Sequence, residues 1–198
     1  MVAADSRGWQ LPRMHKPTTH LRTLHLTLAA ATTALLLAGG CASVPAGSVA
    51  AVPARAEDVA SIEGMMRAFY EVVNVEPTGP RQWARDRTLY SPWIRFVAIG
   101  ESVDLWTHQQ LVDETEPLVR AGFHEREIFR RVRVYGNIAH VDSTYETRMG
   151  SSEKVHRGVN SVELYFDQHR WWIASVMWQS EDAAHPIPAQ LLPPSGGT

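Results

Sequence analysis

The sequence predicts an α+β domain whose helical first half covers one face of an antiparallel sheet. Two observations carry this. Apolar residues recur at helical spacing in two segments before Gly122 and alternate after it. The alternating part is cut into four runs by turn residues, the pattern of a meander.

Residues 57–73 read as the first helix. Val59, Ile62, Met65, Met66, Phe69 and Val73 form one apolar stripe. Glu57 and Asp58 suit the positive end of the helix dipole, and Pro77, Gly79 and Pro80 end the run. Residues 81–90 form a short connector with helical character, and residues 93–99 a first strand. Residues 107–120 read as a second helix: Thr107 as N-cap and Gln110 three residues on make a capping box. Leu111, Val112, Leu118 and Val119 supply its apolar side, and Gly122 closes it. Strands are expected at about 123–135, 138–149, 155–166 and 171–180. Gly136-Asn137 is a two-residue hairpin turn; Gly150-Ser151-Ser152 and Asp167-Gln168-His169 are the other turns.

Ahead of the domain, a basic segment with Lys16 and Arg22 leads into an apolar run that ends Leu35-Leu36-Leu37-Ala38-Gly39-Gly40-Cys41. A transmembrane helix needs roughly 20 apolar residues; this run is shorter and broken by threonines. Positive segment, short apolar stretch and small-residue cleavage site make an export signal. It resembles a bacterial lipoprotein signal, in which the cysteine becomes the lipidated first residue; Ala38 stands where the usual box has Leu, and Leu37 is one position further back. Met14 already begins a complete signal. The resulting division is 1–40 export signal, 41–55 flexible tether, 56–185 folded domain and 186–198 a disordered Pro/Gly tail. The expected location is the bacterial cell envelope, anchored by lipid at Cys41 and facing the periplasm or sitting at the outer membrane.

Composition excludes several function classes. The export segment takes four of the 19 basic and one of the 21 acidic side chains, leaving 15 against 20. That acidic balance argues against nucleic acid as a partner. Cys41 is the only cysteine, so once it is lipidated disulfides, thiolate catalysis and Cys-ligated zinc are ruled out. His124, His140 and His156 recur at even spacing, but their strand positions do not converge, so no metal is expected; no cofactor is expected either. Arg126, Arg130, Arg131 and Arg133 read as a solvated strand face balanced by Glu125, Glu127 and Glu146.

The order of elements, with "GFHEREIFRRVRVYGNIAHVDSTYETR", "RGVNSVELYFD" and "RWWIASVMWQSE", resembles the nuclear transport factor 2-like superfamily, within it the bacterial polyketide cyclase and ketosteroid isomerase-like (SnoaL-like) proteins. The resemblance spans about residues 57–181. It implies a curved sheet wrapped around the helices as a cone with a pocket at its mouth, and a homodimer through the outer sheet face. The fold hosts isomerases, dehydratases, cyclases and proteins that only bind, so it does not settle activity. The Asp-Tyr-Asp set of ketosteroid isomerases has no residue-by-residue match here; Asp104 and Asp142 are the available acids.

With Tyr135 opposite Ile138 and Ser143 opposite Ser161, one sheet face carries His124, Ile128, Val132, Val141, Ser143, Tyr145, Val159, Ser161, Trp172, Val176 and Trp178. The other carries Glu125, Glu127, Phe129, His140, Asp142, Glu146, His156, Asn160, Ile173 and Gln179. The first is more apolar and is expected to face the helices; a one-residue bulge or slip would exchange the sets. The candidate ligand-binding residues are therefore Tyr70, Trp93, His124, Ser143, Tyr145, Ser161 and Trp178, a mainly aromatic pocket with a few polar groups. No catalytic residue is assigned. Tyr145 has two readings, a core aromatic with its hydroxyl satisfied and a donor to a carbonyl or enolate; His124 and His140 are likewise structural groups or proton carriers. Two function classes stand. One is a noncatalytic envelope module binding a small apolar molecule or a protein partner, marked by an exposed apolar patch outside the cone. The other is an acid–base enzyme of the isomerase, dehydratase or cyclase kind, marked by an open pocket with a carboxylate or histidine facing Tyr145.

Overall fold

The structure is a computed structural model and describes residues 52–74, 79, 81–150, 152 and 154–194. The expected export signal, Cys41, most of the tether and residues 195–198 lie outside the described residues. The elements are α1 (Ala56–Val59), α2 (Ile62–Val73), α3 (Trp83–Arg87), β1 (Tyr90–Ile99), β2 (Val103–Trp106), α4 (His108–Arg120), β3 (Phe123–Tyr135), β4 (Ile138–Met149), β5 (His156–Asp167) and β6 (Arg170–Ser180). A short 3-10 turn follows at Ala189–Leu191.

The first expected helix is two helices. Ser61 is extended (φ −142°, ψ 158°) and its hydroxyl accepts from the Gly64 amide at 3.0 Å, so it caps a new helix in the middle of the apolar stripe. The α4 capping box forms as expected, and Gly122 follows the helix at φ 93°. The strand β2 was not foreseen: four residues are too few for alternation to register.

The six strands form one open sheet in the order β2-β1-β6-β5-β4-β3. Neighbours are antiparallel except β1 and β6, which are parallel. Tyr135 opposes Ile138 as expected. Three shifts then alter the faces. Ile128 bulges out of β3, so Phe129 opposes Thr144 but Glu127 opposes Tyr145. The β4–β5 register is one residue off the expected one, with Ser143 opposite Asn160. Ala174 bulges in β6, between the Glu163–Ser175 and Leu164–Ile173 pairs. The helix-facing surface therefore carries Val132, Val141, Ser143, Tyr145, Val176 and Trp178 as expected, but Glu125, Glu127, Gly158, Asn160, Val162 and Ile173 in place of His124, Ile128, Val159, Ser161 and Trp172.

Burial explains why this arrangement wins. Met65, Met66 and Val72 of α2 and Val141, Val162 and Ile173 of the sheet have no exposed surface. Burying each such side chain is worth about 1.5–3 kcal/mol, whereas the expected register would set Glu163 against this core. On the outer face, residues 186–194 are not a free tail. Ile187 is buried, its amide donates to Glu181 Oε1 at 3.0 Å, and the Thr144 hydroxyl donates to the Leu191 carbonyl. That segment buries Thr144 completely although the residue points away from the core.

The three N-terminal helices are tied by one arginine. Arg85 of α3 grips the fully buried Asp58 of α1 with two 2.8 Å bonds and reaches Glu71 of α2 at 2.6 Å. The Arg85 bond, opposed by burial, holds the Asp58 carboxyl below its ordinary pKa. A carboxyl with a depressed folded pKa adds stability above its unfolded pKa of about 3.9, lost as pH falls through the folded value. Asp58→Ala leaves Arg85 half-paired, and urea denaturation at pH 7 should show a loss of about 3–5 kcal/mol. The deficit relative to the parent should shrink below about pH 4; a loss under about 1 kcal/mol at pH 7 would show that the pair is not holding the helices.

Candidate functional site

The inner face of the cone is fully buried at one end and partly exposed at the other. Around Val141, Val162, Ile173 and Val176 the inner face is sealed. Toward the start of β3 and the end of β4, Glu125, His156, Trp178, Ser180, Trp106 and Leu111 keep partial exposure. Trp106 and Trp178 stack at 5.8 Å and 23°, an aromatic wall at this end.

Glu125 sits at the partly exposed end and is held from both sides. Its backbone is clamped by Asn74 at the end of α2: the Asn74 side-chain amide donates to the Glu125 carbonyl at 2.8 Å, and the Glu125 amide donates to Asn74 Oδ1 at 2.7 Å. Thr147 Oγ1 donates to its carboxylate at 3.2 Å. Burial lifts the Glu125 carboxyl to a pKa of about 7, and the single Thr147 bond only partly opposes this. Three tyrosines, Tyr70, Tyr90 and Tyr145, lie within reach of its charge, each with a pKa raised first by burial.

Tyr145 stands over Gly158. A Cβ at that glycine would lie 2.3 Å from the Tyr145 hydroxyl and 2.6 Å from the Gln179 carbonyl, so glycine is what lets the ring lie flat there. The hydroxyl is set beside Ser180.

Deeper in, the hydroxyl directions are fixed by their partners. Asn160 Nδ2 donates to Tyr70 Oη at 3.1 Å, and Ser143 Oγ donates to the Glu127 carboxylate. The 2.7 Å Tyr70–Ser143 bond must then be donated by Tyr70. Arg130 holds Glu127 with bonds of 2.9 and 3.0 Å and continues to Glu63 at 2.5 Å. The protons of Tyr70 and Ser143 are thus committed to one another's network, whereas the Tyr145 hydroxyl lies beside Ser180 and within electrostatic reach of Glu125.

Two residues not singled out in the sequence form a second polar pair, beside Tyr90. Asp86 of α3, nearly inaccessible, takes His108 Nε2 at 2.7 Å, which leaves Nδ1 for a second partner. His108 is the first residue of α4, placed by the capping box, and its ring lies 5.2 Å from Tyr90 and 6.2 Å from Phe96. Burial, then the charge of Asp86, raises Tyr90. The available signal was a histidine immediately after a predicted N-cap; nothing local pairs it with an aspartate in a connector.

The structure thus brings Tyr70, Ser143, Tyr145 and Trp178 together on the inner face and leaves Trp93, His124 and Ser161 on the outer one. His124 and Ser161 are turned out by the Ile128 bulge and the β4–β5 shift. Trp93, 59% exposed, stacks at 5.6 Å on Tyr165, which stacks at 6.4 Å on Trp172. His140 lies on the outer face between Glu163 (2.6 Å) and Asp142 (2.9 Å). Among the described residues no group of three or more ligating side chains could hold a metal ion, and no helix is long and apolar enough to cross a membrane. An exposed apolar patch of Val103, Leu105 and Met177 lies around Val97 outside the cone, and inside it the Glu125 carboxylate lies within electrostatic reach of Tyr145. A separate outer cleft of about 460 Å³ between β3 and the C-terminal segment is walled by paired charges, among them Arg126–Glu146.

No protein-family model and no curated protein matches the sequence. Solved structures share the fold. A proposed dehydratase of the NTF2-like family from Streptomyces avermitilis has a TM-score of 0.51 at 16% identity, over 64% of this chain and 97% of that one. LinA has a TM-score of 0.50 at 10% identity, over 68% and 92%. An NTF2-like protein of unknown function from Silicibacter pomeroyi has 0.48 at 14%, over 62% and 94%. The domain therefore has the NTF2-like cone fold.

Glu125 makes stability depend on pH in the opposite sense to Asp58. Its raised folded pKa means the folded state holds a proton that the unfolded state has released between about pH 4.5 and pH 7. Its contribution should therefore decline as pH rises through that window. Urea midpoints at pH 5 and pH 8 should show a drop in the parent that is smaller in Glu125→Gln; equal drops would place the titration elsewhere. Gly158→Ala should cost about 1–3 kcal/mol by displacing Tyr145, read by the same denaturation and by a change in tyrosine absorbance.

Proposed function

We propose that this protein is an acid–base enzyme acting on a small apolar molecule, of the isomerase or dehydratase kind, with Glu125 carrying the proton. One observation carries the reading: on the inner face of the cone, at an end whose rim is partly exposed, a carboxyl lifted by burial to a pKa of about 7 lies within electrostatic reach of the Tyr145 hydroxyl. A proton carrier works best when its pKa is close to the operating pH. The Glu125 carboxylate takes a proton from the carbon next to a substrate carbonyl. The Tyr145 hydroxyl donates a hydrogen bond to the oxygen as negative charge develops there. The proton then returns to a different carbon in an isomerisation, or His108, oriented by Asp86, protonates a departing hydroxyl in a dehydration. The Trp106–Trp178 wall takes the apolar body of the ligand. The Streptomyces avermitilis protein, itself a proposed dehydratase on this fold, supports the reaction class.

The enzyme is placed in the bacterial envelope, held by lipid on Cys41 through the tether; the sequence Leu37-Ala38-Gly39-Gly40-Cys41 supports this. A second reading, a noncatalytic binder of a small apolar molecule in the same cone, is favoured by the committed protons of Tyr70 and Ser143.

Deuterium uptake next to the carbonyl of cyclohexanone and 3-cyclohexen-1-one, followed by NMR, tests the choice. Enzymatic exchange should rise with the ionisation of a group near pH 7 and fall about 10²–10⁴-fold in Glu125→Gln, with a smaller loss in Tyr145→Phe. Binding of either ketone without exchange above the buffer rate would select the binder.

A further inference from the structure

The row of the inner face nearest the partly exposed end holds a second titratable group. Glu125 of β3 opposes Thr147 of β4, and Thr147 opposes His156 of β5. Asn160, four residues after His156, bonds Tyr70 of α2 inside the cone, so strand alternation turns His156 to that same face. Neighbouring strands lie about 4.8 Å apart, so the backbones of Glu125 and His156 are about 10 Å apart, with Thr147 between them. Side chains in one row of a concave face converge at their tips. Both residues keep partial exposure at this end, so a small molecule entering there meets both.

The two groups are tuned in opposite directions. Burial lifts Glu125 to a pKa of about 7. Burial, and then the charge of Lys154 two residues earlier, pushes His156 below the usual histidine range. The other titratable groups around it are Tyr145, diagonal to it on β4, and Glu181 after β6, which Arg157 holds at 2.8 Å. The usual order is therefore reversed: the carboxyl holds its proton more firmly than the imidazole. Between their two values the pair holds one proton, and the arrangement with Glu125 ionised and His156 protonated lies close in energy to the other.

We propose that His156 is the second proton carrier of this site, delivering a proton to a substrate carbon on the far side of the row from Glu125. The inference rests on the acid–base reading above and supplies the group that returns the proton in an isomerisation. Glu125 takes a proton from the carbon next to the carbonyl, and the C–H electron pair passes into an extended enolate. The enolate then forms a new C–H bond two carbons further on with the proton of His156, and the charge on its oxygen is lost as the carbonyl re-forms. Glu125 ends protonated and His156 neutral, the state that the two environments favour. Loss of one proton to water by Glu125 and gain of another by His156 restore the reactive pair.

With 3-cyclohexen-1-one, NMR in deuterated buffer reads both halves of the reaction in the full chain. Deuterium uptake next to the carbonyl needs Glu125; conversion to 2-cyclohexen-1-one also needs delivery to the far carbon. In the parent, uptake should rise near pH 7 and level off, whereas conversion should fall there, because the pair then loses its last proton. In His156→Gln the ratio of conversion to uptake should drop at least tenfold, and the fall of conversion near pH 7 should be gone. The ratio is internal to each sample, a thermal midpoint checks that the variant is folded, and the two parent profiles need no variant. Parent profiles of the same shape, or a ratio unchanged in His156→Gln, overturn the proposal. If uptake depends on Glu125 while conversion follows the same profile, His156 loses its role and the acid–base reading stands. If neither reaction exceeds the buffer rate, the acid–base reading falls and this inference falls with it.

Discussion

The arrangement of this site depends on one extra residue in β3. Ile128 occupies a bulge, and the alternation of the strand restarts on either side of it. From Phe129 to Tyr135 the strand keeps the register set by the hairpin turn. Before the bulge every side chain is turned to the other face, which puts Glu125 and Glu127 inside the cone and His124 and Arg126 outside. Without the bulge the carboxylates would meet solvent on the convex side and the interior would hold histidine and arginine instead.

Once the two glutamates face inward, the interior must treat them differently. Glu127 is neutralised by Arg130 and satisfied by Ser143, so it anchors a hydrogen-bonded chain that runs to Tyr70 and ties α2 to the sheet. A fully satisfied chain of this kind stiffens the structure and leaves no proton to spare. Among the described residues, Thr147 is the side chain that bonds the Glu125 carboxylate and no cation pairs with it. Burial therefore acts on it almost unopposed, and the result is a group that can hold or release a proton near neutrality. Two carboxylates two residues apart in sequence thus become a structural element and a chemical one.

The helices complete the division of labour. Arg85 joins α1, α2 and α3 through Asp58 and Glu71, which positions Asp86 next in sequence to meet His108 at the start of α4. Asn74 at the end of α2 holds the backbone of Glu125. The site is therefore built by element ends: the last turn of α2, the first of α4, the beginning of β3 and the ends of β4 and β6. These are the places where side chains can point into the cone without displacing its packed core.

The sequence by itself determined the elements that rest on local chemistry. The capping box of Thr107 and Gln110, the glycine after α4, the Gly136-Asn137 turn and the bounds of β3 and β4 follow from residues within a few positions of one another. It also determined part of the inner face: Ser143, Tyr145, Val176 and Trp178 lie where alternation places them. Tertiary structure decided the rest. A bulge is one residue of mismatch whose position depends on what the partner strand and the core accept, so neither Ile128 nor Ala174 is marked locally, and His124, Ser161 and Trp172 were assigned to the wrong face. Asp86 and His108 meet only because the tertiary fold brings the start of α4 to α3, 22 residues earlier in the chain. Register and pairing are properties of two segments at once, and a single segment cannot carry them.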